Sequence, residues 1–216
     1  MTRSNIPTVE QYWEALAAAL PAFSPEDQRV AVTLYREVAK GQPVDAAQLG
    51  DRDSLKPFAY YDEQGRVLGF GGLAAAPMHH RFEVDGRTLW TWCAWDSLFI
   101  PEILGKRARV TSPDPETGDP VRLVVTPHEI ESAEPENAVV SFLLPDARDF
   151  GTSAANVMTN FCHFIFFFAS PASGERWVAR HPGTFLYSLD DAFALAKRLD
   201  GRNFGLELAR RRADAA

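Results

Sequence analysis

Near the start of the chain, apolar residues recur at the spacing of an α-helix. In TVEQYWEALAAAL every third or fourth residue is apolar, and Pro21 closes the segment, which predicts a first amphipathic helix. A second helix is predicted to begin after Ser24, because serine is a favoured N-cap and a proline and two acidic residues follow it. This helix should run to about residue 40 and end at Gly41.

The next segments complete an N-terminal unit. A short third helix is expected after Asp45, and FAYYDEQGRVLGFGGL predicts two strands around the turn at residues 62–65. Three short helices followed by a hairpin are the layout of a winged helix, so residues 1–80 are expected to form a winged-helix-like N-terminal module. A DNA-reading helix needs basic side chains, whereas VDAAQLGDRDSL has one arginine and three aspartates, so we interpret the module as a packing unit.

From residue 81 onward the pattern is one of strands with interleaved helices, and the expected fold class is α+β with a mixed sheet. Two hairpins are predicted: RFEVDGRTLWTW, which turns at Asp85-Gly86, and RARVTS with VRLVVT, which flank PDPETGDP. Further strands are predicted in AVVSFLL and in FCHFIFFFAS, whose alternation is apolar on both faces. Helices are predicted in CAWDSLFIPEIL, where Pro101 should kink or break the helix, and in SGERWVARH and LDDAFALAKRL.

Charge and composition exclude several classes of protein. The formal net charge is −7, which argues against nucleic acid as the main partner, and the basic run Arg210–Arg212 is interpreted as a solvated polar tail. The longest apolar run, residues 161–169, is too short to span a bilayer, and the first residues lack the apolar core and cleavage site of a secretory signal, so none is expected. Two cysteines in a chain of 216 residues are no disulfide framework, so a reducing cytoplasm is the expected location.

The two cysteines and one nearby aspartate are the candidate chemistry. If WTWCAWDSLF is helical, Cys93 and Asp96 stand at i and i+3 and share one face. Cys162 lies in the predicted apolar strand FCHFIFFFAS. Taken one at a time, both cysteines fit plain core packing, because free cysteine is among the most buried residue types. Their function therefore depends on whether the two thiols meet.

If the two thiols meet, a soft metal ion is what they are best suited to bind. The chain lacks the four nitrogen or sulfur ligands at the spacing of a structural zinc site, and the adjacent pair His79-His80 is interpreted as a surface turn. Two thiolates suit Cu(I) or Hg(II), which are soft ions. A carboxylate is a poor ligand for such an ion but a good proton carrier where apolar walls raise its pKa. Together, Cys93, Cys162 and Asp96 suit the protonation of a bond to a soft metal.

The same residues carry a resemblance to a known family. The segments WCAWDSLFIPEILGKRARVTSPDPETGDPVRLVVTP at residues 92–127 and NFCHFIFFFAS at residues 160–170 resemble the organomercurial (alkylmercury) lyases. This likeness implies a winged-helix-like module at residues 1–80 and an alkylmercury-lyase-like catalytic domain at residues 81–216. It also implies protonolysis of a carbon–mercury bond to a hydrocarbon and Hg(II).

The resemblance assigns roles to particular residues. It makes Cys93, Asp96 and Cys162 the catalytic residues and the ligands of the Hg(II) product. No cofactor is implied; the implied partners are an organomercurial, small-molecule thiols and a mercuric reductase that receives Hg(II). Trp92, Trp95, Phe161 and Phe164 are expected to wall the substrate pocket, although they equally fit plain core packing.

Departures and rival interpretations accompany this prediction. Where some family members have a second cysteine after Cys162, this chain has His163, which strand alternation would direct away from the site, so it is expected to be dispensable. Some members also have a cysteine in the loop occupied here by SPDPETG.

Two rival functions remain open at this point. One is a carrier that holds Cu(I) or Hg(II) without turnover; the other is a metal-responsive winged-helix regulator, which the acidic N-terminal region disfavours.

Overall fold

Two capped helices open the structure, a computed structural model that describes residues 6–214. Helices α1 (Val9–Ala19) and α2 (Pro25–Val38) confirm the sequence prediction, and each begins with a capping box, formed by Thr8 and by Ser24 respectively. The third expected helix is only the 3₁₀ turn Ala46–Leu49. The first five residues, part of the N-terminal segment in which no secretory signal is expected, lie outside the described range.

Within the described range, the larger of two sheets is antiparallel throughout and has eight strands in the order β1-β2-β3-β5-β4-β6-β7-β8. Its strands are β1 (Ala59–Tyr61), β2 (Val67–Phe70), β3 (Leu73–Ala74), β4 (His80–Val84), β5 (Arg87–Thr91), β6 (Ala108–Pro113), β7 (Pro120–Val125) and β8 (Ile130–Glu134). The β1–β2, β4–β5 and β6–β7 hairpins confirm the predicted turns, because local turn chemistry sets each of them.

The smaller sheet is antiparallel and orders its three strands β10-β9-β11. These are β9 (Val139–Leu143), β10 (Phe167–Phe168) and β11 (Thr184–Ser188), and the remaining helices are α3 (Asp96–Leu104), α4 (Ala147–Phe150), α5 (Ala154–Asn160), α6 (Pro171–Arg180) and α7 (Leu189–Asp214). Helices with antiparallel sheets confirm the predicted α+β class, but neither sheet is mixed, because every strand pairing among residues 6–214 is antiparallel. The winged-helix likeness and the division at residue 80 stay predictions; the larger sheet continues from β3 to β5 across that position.

One predicted strand was wrong. Most of FCHFIFFFAS does not pair in a sheet: residues Cys162–Phe164 form a 3₁₀ turn, and only Phe167–Phe168 is a strand. The reason lies in Ser141 of β9, whose hydroxyl donates to the Phe164 carbonyl at 2.7 Å and accepts the Phe166 N–H at 3.0 Å. A side chain thus satisfies backbone groups that a ladder would otherwise pair, and the alternation assumed for these residues does not occur.

Helix α3 is fully enclosed, since all nine of its residues are buried. It continues through Pro101 to Leu104 instead of breaking at the proline, and it ends at Gly105, whose φ of 69° is left-handed. Helix α7 packs along it. None of the helices within residues 6–214 combines the length and apolar character needed to cross a membrane. Buried apolar side chains from the helices and both sheets form one continuous core around α3.

The prediction for the basic run at the C-terminus was wrong in part. Arg210 and Arg212 are exposed as expected, but the run lies in α7 and makes specific contacts: Arg211 donates to the Ile103 carbonyl at 2.9 Å, and Arg212 pairs with Glu102 at 2.7 Å. Glu102 is 4% exposed and also pairs with Lys197 of α7. A buried carboxylate needs such partners, and the sequence could not show that α3 supplies one. We call these contacts the α3–α7 clamp.

The clamp predicts that Arg212→Ala lowers the free energy of unfolding by about 1–2 kcal/mol, because one cation is removed from a buried carboxylate. Arg210→Ala is the matched control, since Arg210 pairs with Glu207 at the helix surface and its loss should cost within about 0.5 kcal/mol. Urea unfolding of both variants measures the difference. Equal losses would contradict the clamp.

Candidate active site

The connection from β5 to α3 positions the first cysteine and the aspartate. Cys93 precedes the helix rather than lying within it, and Asp96 is the first residue of α3. The Asp96 carboxylate folds back and accepts the Cys93 backbone N–H at Oδ2 over 2.7 Å. Thr91, the last residue of β5, donates its hydroxyl to the Cys93 carbonyl at 2.8 Å, which fixes the turn from the other side. The two side chains meet because of this turn and not because they share a helical face.

The second cysteine comes from a different part of the chain. Cys162 begins the 3₁₀ turn that follows α5, and the segment is tied to the first one by the Ala94 N–H, which donates to the Ile165 carbonyl at 3.1 Å. The ligand atoms of Cys93, Asp96 and Cys162 all lie within 4.8 Å of one another, and the three residues are 0%, 6% and 4% exposed. The structure therefore brings together the three residues that the sequence analysis selected.

Burial dominates the electrostatics of the three groups. Desolvation raises the pKa of Asp96 to about 7, against hydrogen bonds from Cys93 that act to lower it. Burial also raises the pKa of the Cys93 thiol well above its ordinary value, and the neighbouring Cys162 and Asp96 add to that rise. For Cys162, hydrogen bonding with Cys93 lowers the pKa, but burial and the Asp96 charge leave it raised. Near neutral pH, the carboxyl group is thus the one that exchanges a proton most readily.

An apolar cavity of about 70 Å³ opens beside these groups. Its walls are mainly aromatic and aliphatic: Leu16, Leu20, Phe23, Tyr35, Phe58, Phe70, Gly71, Gly72, Trp92, Trp95, Asp96, Phe99, Phe150, Val157, Phe161, Cys162, Leu199, Asn203 and Phe204. Three of the four predicted wall residues are among them: Trp92, Trp95 and Phe161. Phe164 is not; it is half-buried, with its carbonyl bonded to Ser141. Helix α2 and helix α7 supply walls that the sequence analysis did not anticipate.

A diglycine turn that the sequence analysis passed over borders the site. Gly71 and Gly72 have φ angles of 50° and 98°, and a Cβ built on Gly72 would lie 2.4 Å from the Asp96 Cγ atom. Any side chain at residue 72 would therefore collide with the carboxyl group. The sequence signal was the GG dipeptide in GFGGL, which marks a turn but gives no hint of which residue approaches it.

The histidines lie outside the group of three. The expected surface pair is half wrong, because His80 is 1% exposed on the inward face of β4 and its Nδ1 lies 2.8 Å from the Ser112 hydroxyl. Burial holds the pKa of His80 well below its ordinary value. His79 is exposed, and so is His163, although the 3₁₀ turn rather than strand alternation directs His163 outward. Its dispensability stays a prediction.

Comparison with known proteins gives a consistent result. A sequence model of the family described as alkylmercury lyase matches residues 73–201. The chain is 42% identical over 177 residues to the alkylmercury lyase of Streptomyces lividans, an alignment that covers 77% of this chain and 79% of the relative. It is 39% identical over 175 residues to the alkylmercury lyase of Pseudomonas putida, covering 76% and 79%.

A solved structure shares the fold. The crystal structure of the mercury-bound form of MerB2 aligns with a TM-score of 0.68 at 20% sequence identity, covering 88% of this chain and 96% of that one. At this identity the likeness concerns the fold alone.

The diglycine turn predicts that Gly72→Ala lowers the free energy of unfolding by about 2–4 kcal/mol, because strain at positive φ adds to the overlap with Asp96. Gly65→Ala is the matched control: its φ is 74°, but nothing lies within 4 Å of an added Cβ, so only strain of about 1–2 kcal/mol is expected. Urea unfolding of the two variants isolates the overlap. If Gly72→Ala cost no more than the control, the close approach to Asp96 would be disproved.

The raised pKa of Asp96 predicts a pH-dependent gain of stability in Asp96→Asn. The unfolded carboxyl group ionises near its ordinary value of 3.8 and the folded one at about 7, so the native protein loses stability as the pH rises between these values. The neutral amide avoids this loss. Asp96→Asn should therefore gain about 1–3 kcal/mol more over the native protein at pH 8 than at pH 5. Urea unfolding at both pH values measures it, and an equal effect at both would contradict the assignment.

Proposed function

The chain belongs to the alkylmercury lyase family, and we propose on this basis that it cleaves the carbon–mercury bond of organomercurials, releasing a hydrocarbon and Hg(II). The observation that carries the proposal is the meeting of two thiols and one carboxyl group within 4.8 Å beside an apolar cavity. Thiols bind mercury strongly because both are soft, and the carboxyl group can carry a proton.

Capture of the substrate uses both cysteines. The substrate arrives as R–Hg–X, where X is a small-molecule thiolate. One of Cys93 and Cys162 attacks mercury and the other joins it, so that two sulfur–mercury bonds form and X leaves. Of the two thiol protons, one departs with X and the other passes to the Asp96 carboxylate, which lies within reach of both sulfurs. Two thiolate ligands push electron density toward the mercury-bound carbon and make it basic.

Bond cleavage uses the proton held on Asp96. The carboxyl group gives its proton to the carbon, the carbon–mercury bond breaks, and its electron pair forms the new carbon–hydrogen bond. The products are R–H and Hg(II) held by Cys93 and Cys162, with Asp96 again a carboxylate. A pKa of about 7 suits a group that must both accept and donate this proton near neutral pH. No cofactor takes part in these steps.

The organic group occupies the cavity in this proposal. Trp92, Trp95 and Phe161 line it and exclude water, which strengthens the electrostatic interaction between the carboxyl proton and the carbon. Trp95 is held in place by its indole N–H, which donates to the Ala192 carbonyl at 3.0 Å. The predicted contact of Phe164 with the substrate stays a prediction, because that side chain is not part of the cavity wall.

Release of the product completes the proposed cycle. Small-molecule thiols displace Cys93 and Cys162 from Hg(II) and return the protons to the two sulfurs. We place this exchange in the cytoplasm, where such thiols keep cysteines reduced, with a mercuric reductase as the receiver of Hg(II). The biological role that fits is detoxification of organomercurials.

The decisive test measures benzene released from phenylmercury acetate with excess small-molecule thiol. The native protein should turn over repeatedly, and in D₂O it should give monodeuterated benzene, since the proton reaches the carbon through an exchangeable carboxyl group. Cys93→Ser, Cys162→Ser and Asp96→Ala should each lower the rate by about 100-fold or more. His163→Ala is the matched control and should keep its activity, because the side chain is exposed.

Mercury binding separates the enzyme from a carrier. Asp96→Ala should still bind Hg(II) through its two thiols while losing benzene release, because a ligand pair does not need a proton donor. Tight Hg(II) binding by the native protein without any benzene would overturn the proposed function and leave a soft-metal carrier.

A further inference from the structure

We propose that Tyr35 is a positioning residue for Asp96: its hydroxyl group holds the Gly71–Gly72 turn against the carboxyl group and so fixes the direction from which the proton is delivered. The inference rests on the proposed function. Tyr35 lies in helix α2, far in sequence from both cysteine segments, and nothing in the pattern of α2 distinguishes it from an ordinary core residue.

The first link is a hydrogen bond from the tyrosine to the turn. The Tyr35 hydroxyl donates to the Gly71 carbonyl at 2.6 Å, and the residue is 2% exposed. Its ring is fixed by edge-to-face contacts with Phe70 and Phe204, at centroid distances of 5.3 Å and 5.8 Å. A rigid ring with a short bond makes the hydroxyl a fixed point against which the turn rests.

The second link is the turn itself, which touches the hydroxyl on one residue and the carboxyl group on the next. A Cβ built on Gly71 would lie 2.2 Å from the Tyr35 hydroxyl oxygen, and one built on Gly72 would lie 2.5 Å from the Asp96 Oδ1 atom. The backbone therefore fills the space between the two side chains, with no room left for a methyl group. A shift of the turn would be felt directly at the carboxyl group.

The third link joins the turn to the same carboxyl group through the backbone of the first cysteine segment. The Gly72 carbonyl accepts the Trp92 N–H at 2.8 Å, and the N–H of the next residue, Cys93, is the donor to Asp96 Oδ2 at 2.7 Å. Asp96 is thus held by the Cys93 N–H on one oxygen and walled by Gly72 beside the other. Both restraints lead back to the turn that Tyr35 holds.

Tyr35 positions the carboxyl group but does not itself deliver a proton. Its hydroxyl hydrogen is committed to the Gly71 carbonyl, and burial raises its pKa well above the ordinary value of 10, with the charges of Asp96 and Asp200 adding to the rise. A phenol of that kind keeps its proton near neutral pH. Its contribution to the reaction is therefore geometric, and misplacement of a reacting group by about 1 Å can cost about 100-fold in rate.

The test is Tyr35→Phe, which removes one oxygen atom and keeps the ring contacts. In the phenylmercury assay, kcat should fall about 10- to 100-fold while KM stays within about threefold, because both thiols, the ring of residue 35 and the other apolar walls of the cavity are kept. The affinity for Hg(II), measured by competition with a small-molecule thiol, should equal that of the native protein. This split between kcat and KM is the result that plain packing would not give.

Tyr187→Phe is the matched control. Tyr187 is also buried among aromatic rings and also donates its hydroxyl to a backbone carbonyl, that of Pro7 at 2.7 Å, but it does not line the cavity. This variant should lose a similar hydrogen bond with kcat unchanged. Urea midpoints of both variants compare their stability.

The experiments distinguish a failure of the proposed function from a failure of the proposed role of Tyr35. Failure of the native protein to release benzene would overturn the proposed function itself. With an active native protein, a Tyr35→Phe kcat equal to that of Tyr187→Phe would overturn the positioning role. A Tyr35→Phe chain that does not fold would overturn it as well, because the hydroxyl would then be needed for the fold rather than for the carboxyl group.

Discussion

The hydrogen bond from the Cys93 N–H to Asp96 Oδ2 is the interaction on which the site depends, because it lets the Asp96 carboxyl group meet two opposing requirements. A carboxyl group surrounded by apolar side chains is destabilised when it is charged, which raises its pKa to about 7. The same group must stay in one place if it is to pass a proton to a bound carbon atom. The bond, at 2.7 Å, holds the carboxyl group at the start of α3, where the helix dipole also favours its charged form. The group therefore remains able to ionise without being exposed to water.

The rest of the fold supports this arrangement through contacts that are distant in sequence. Ser141 of the smaller sheet holds the backbone after Cys162 in a turn, and the Ala94–Ile165 bond ties that turn to the Cys93 segment. On the opposite end of α3, Glu102 is held by cations of α7. The helix that begins with Asp96 is thus fixed at both ends, which is the kind of rigid support that a precise proton transfer needs.

The proposed chemistry depends on the carboxyl group and on the exclusion of water as well as on the two thiols. Two thiols in an apolar setting bind a soft ion whether or not a reaction follows, so they do not by themselves separate an enzyme from a carrier. The third group makes the difference in the proposed reaction, because Asp96 is the group proposed to supply the proton that ends the carbon–mercury bond. Trp92, Trp95 and Phe161 line the cavity, and in the proposed mechanism these aromatic walls keep water from competing for that proton.

The sequence by itself determined the features that depend on neighbouring residues or on a recognisable motif. Helices α1 and α2 and the three hairpins follow from caps and turns within a few residues, and Cys93, Asp96 and Cys162 were selected by chemistry together with family resemblance. Only the tertiary structure decided the turn at Cys162, the burial of His80, the partners of Arg211 and Arg212, and the approach of Gly72 to Asp96. Each of these depends on a group far away in the chain, such as the Ser141 hydroxyl or the Glu102 carboxylate. Local periodicity carries no information about such a partner, and a buried polar group takes its conformation from the partner that satisfies it.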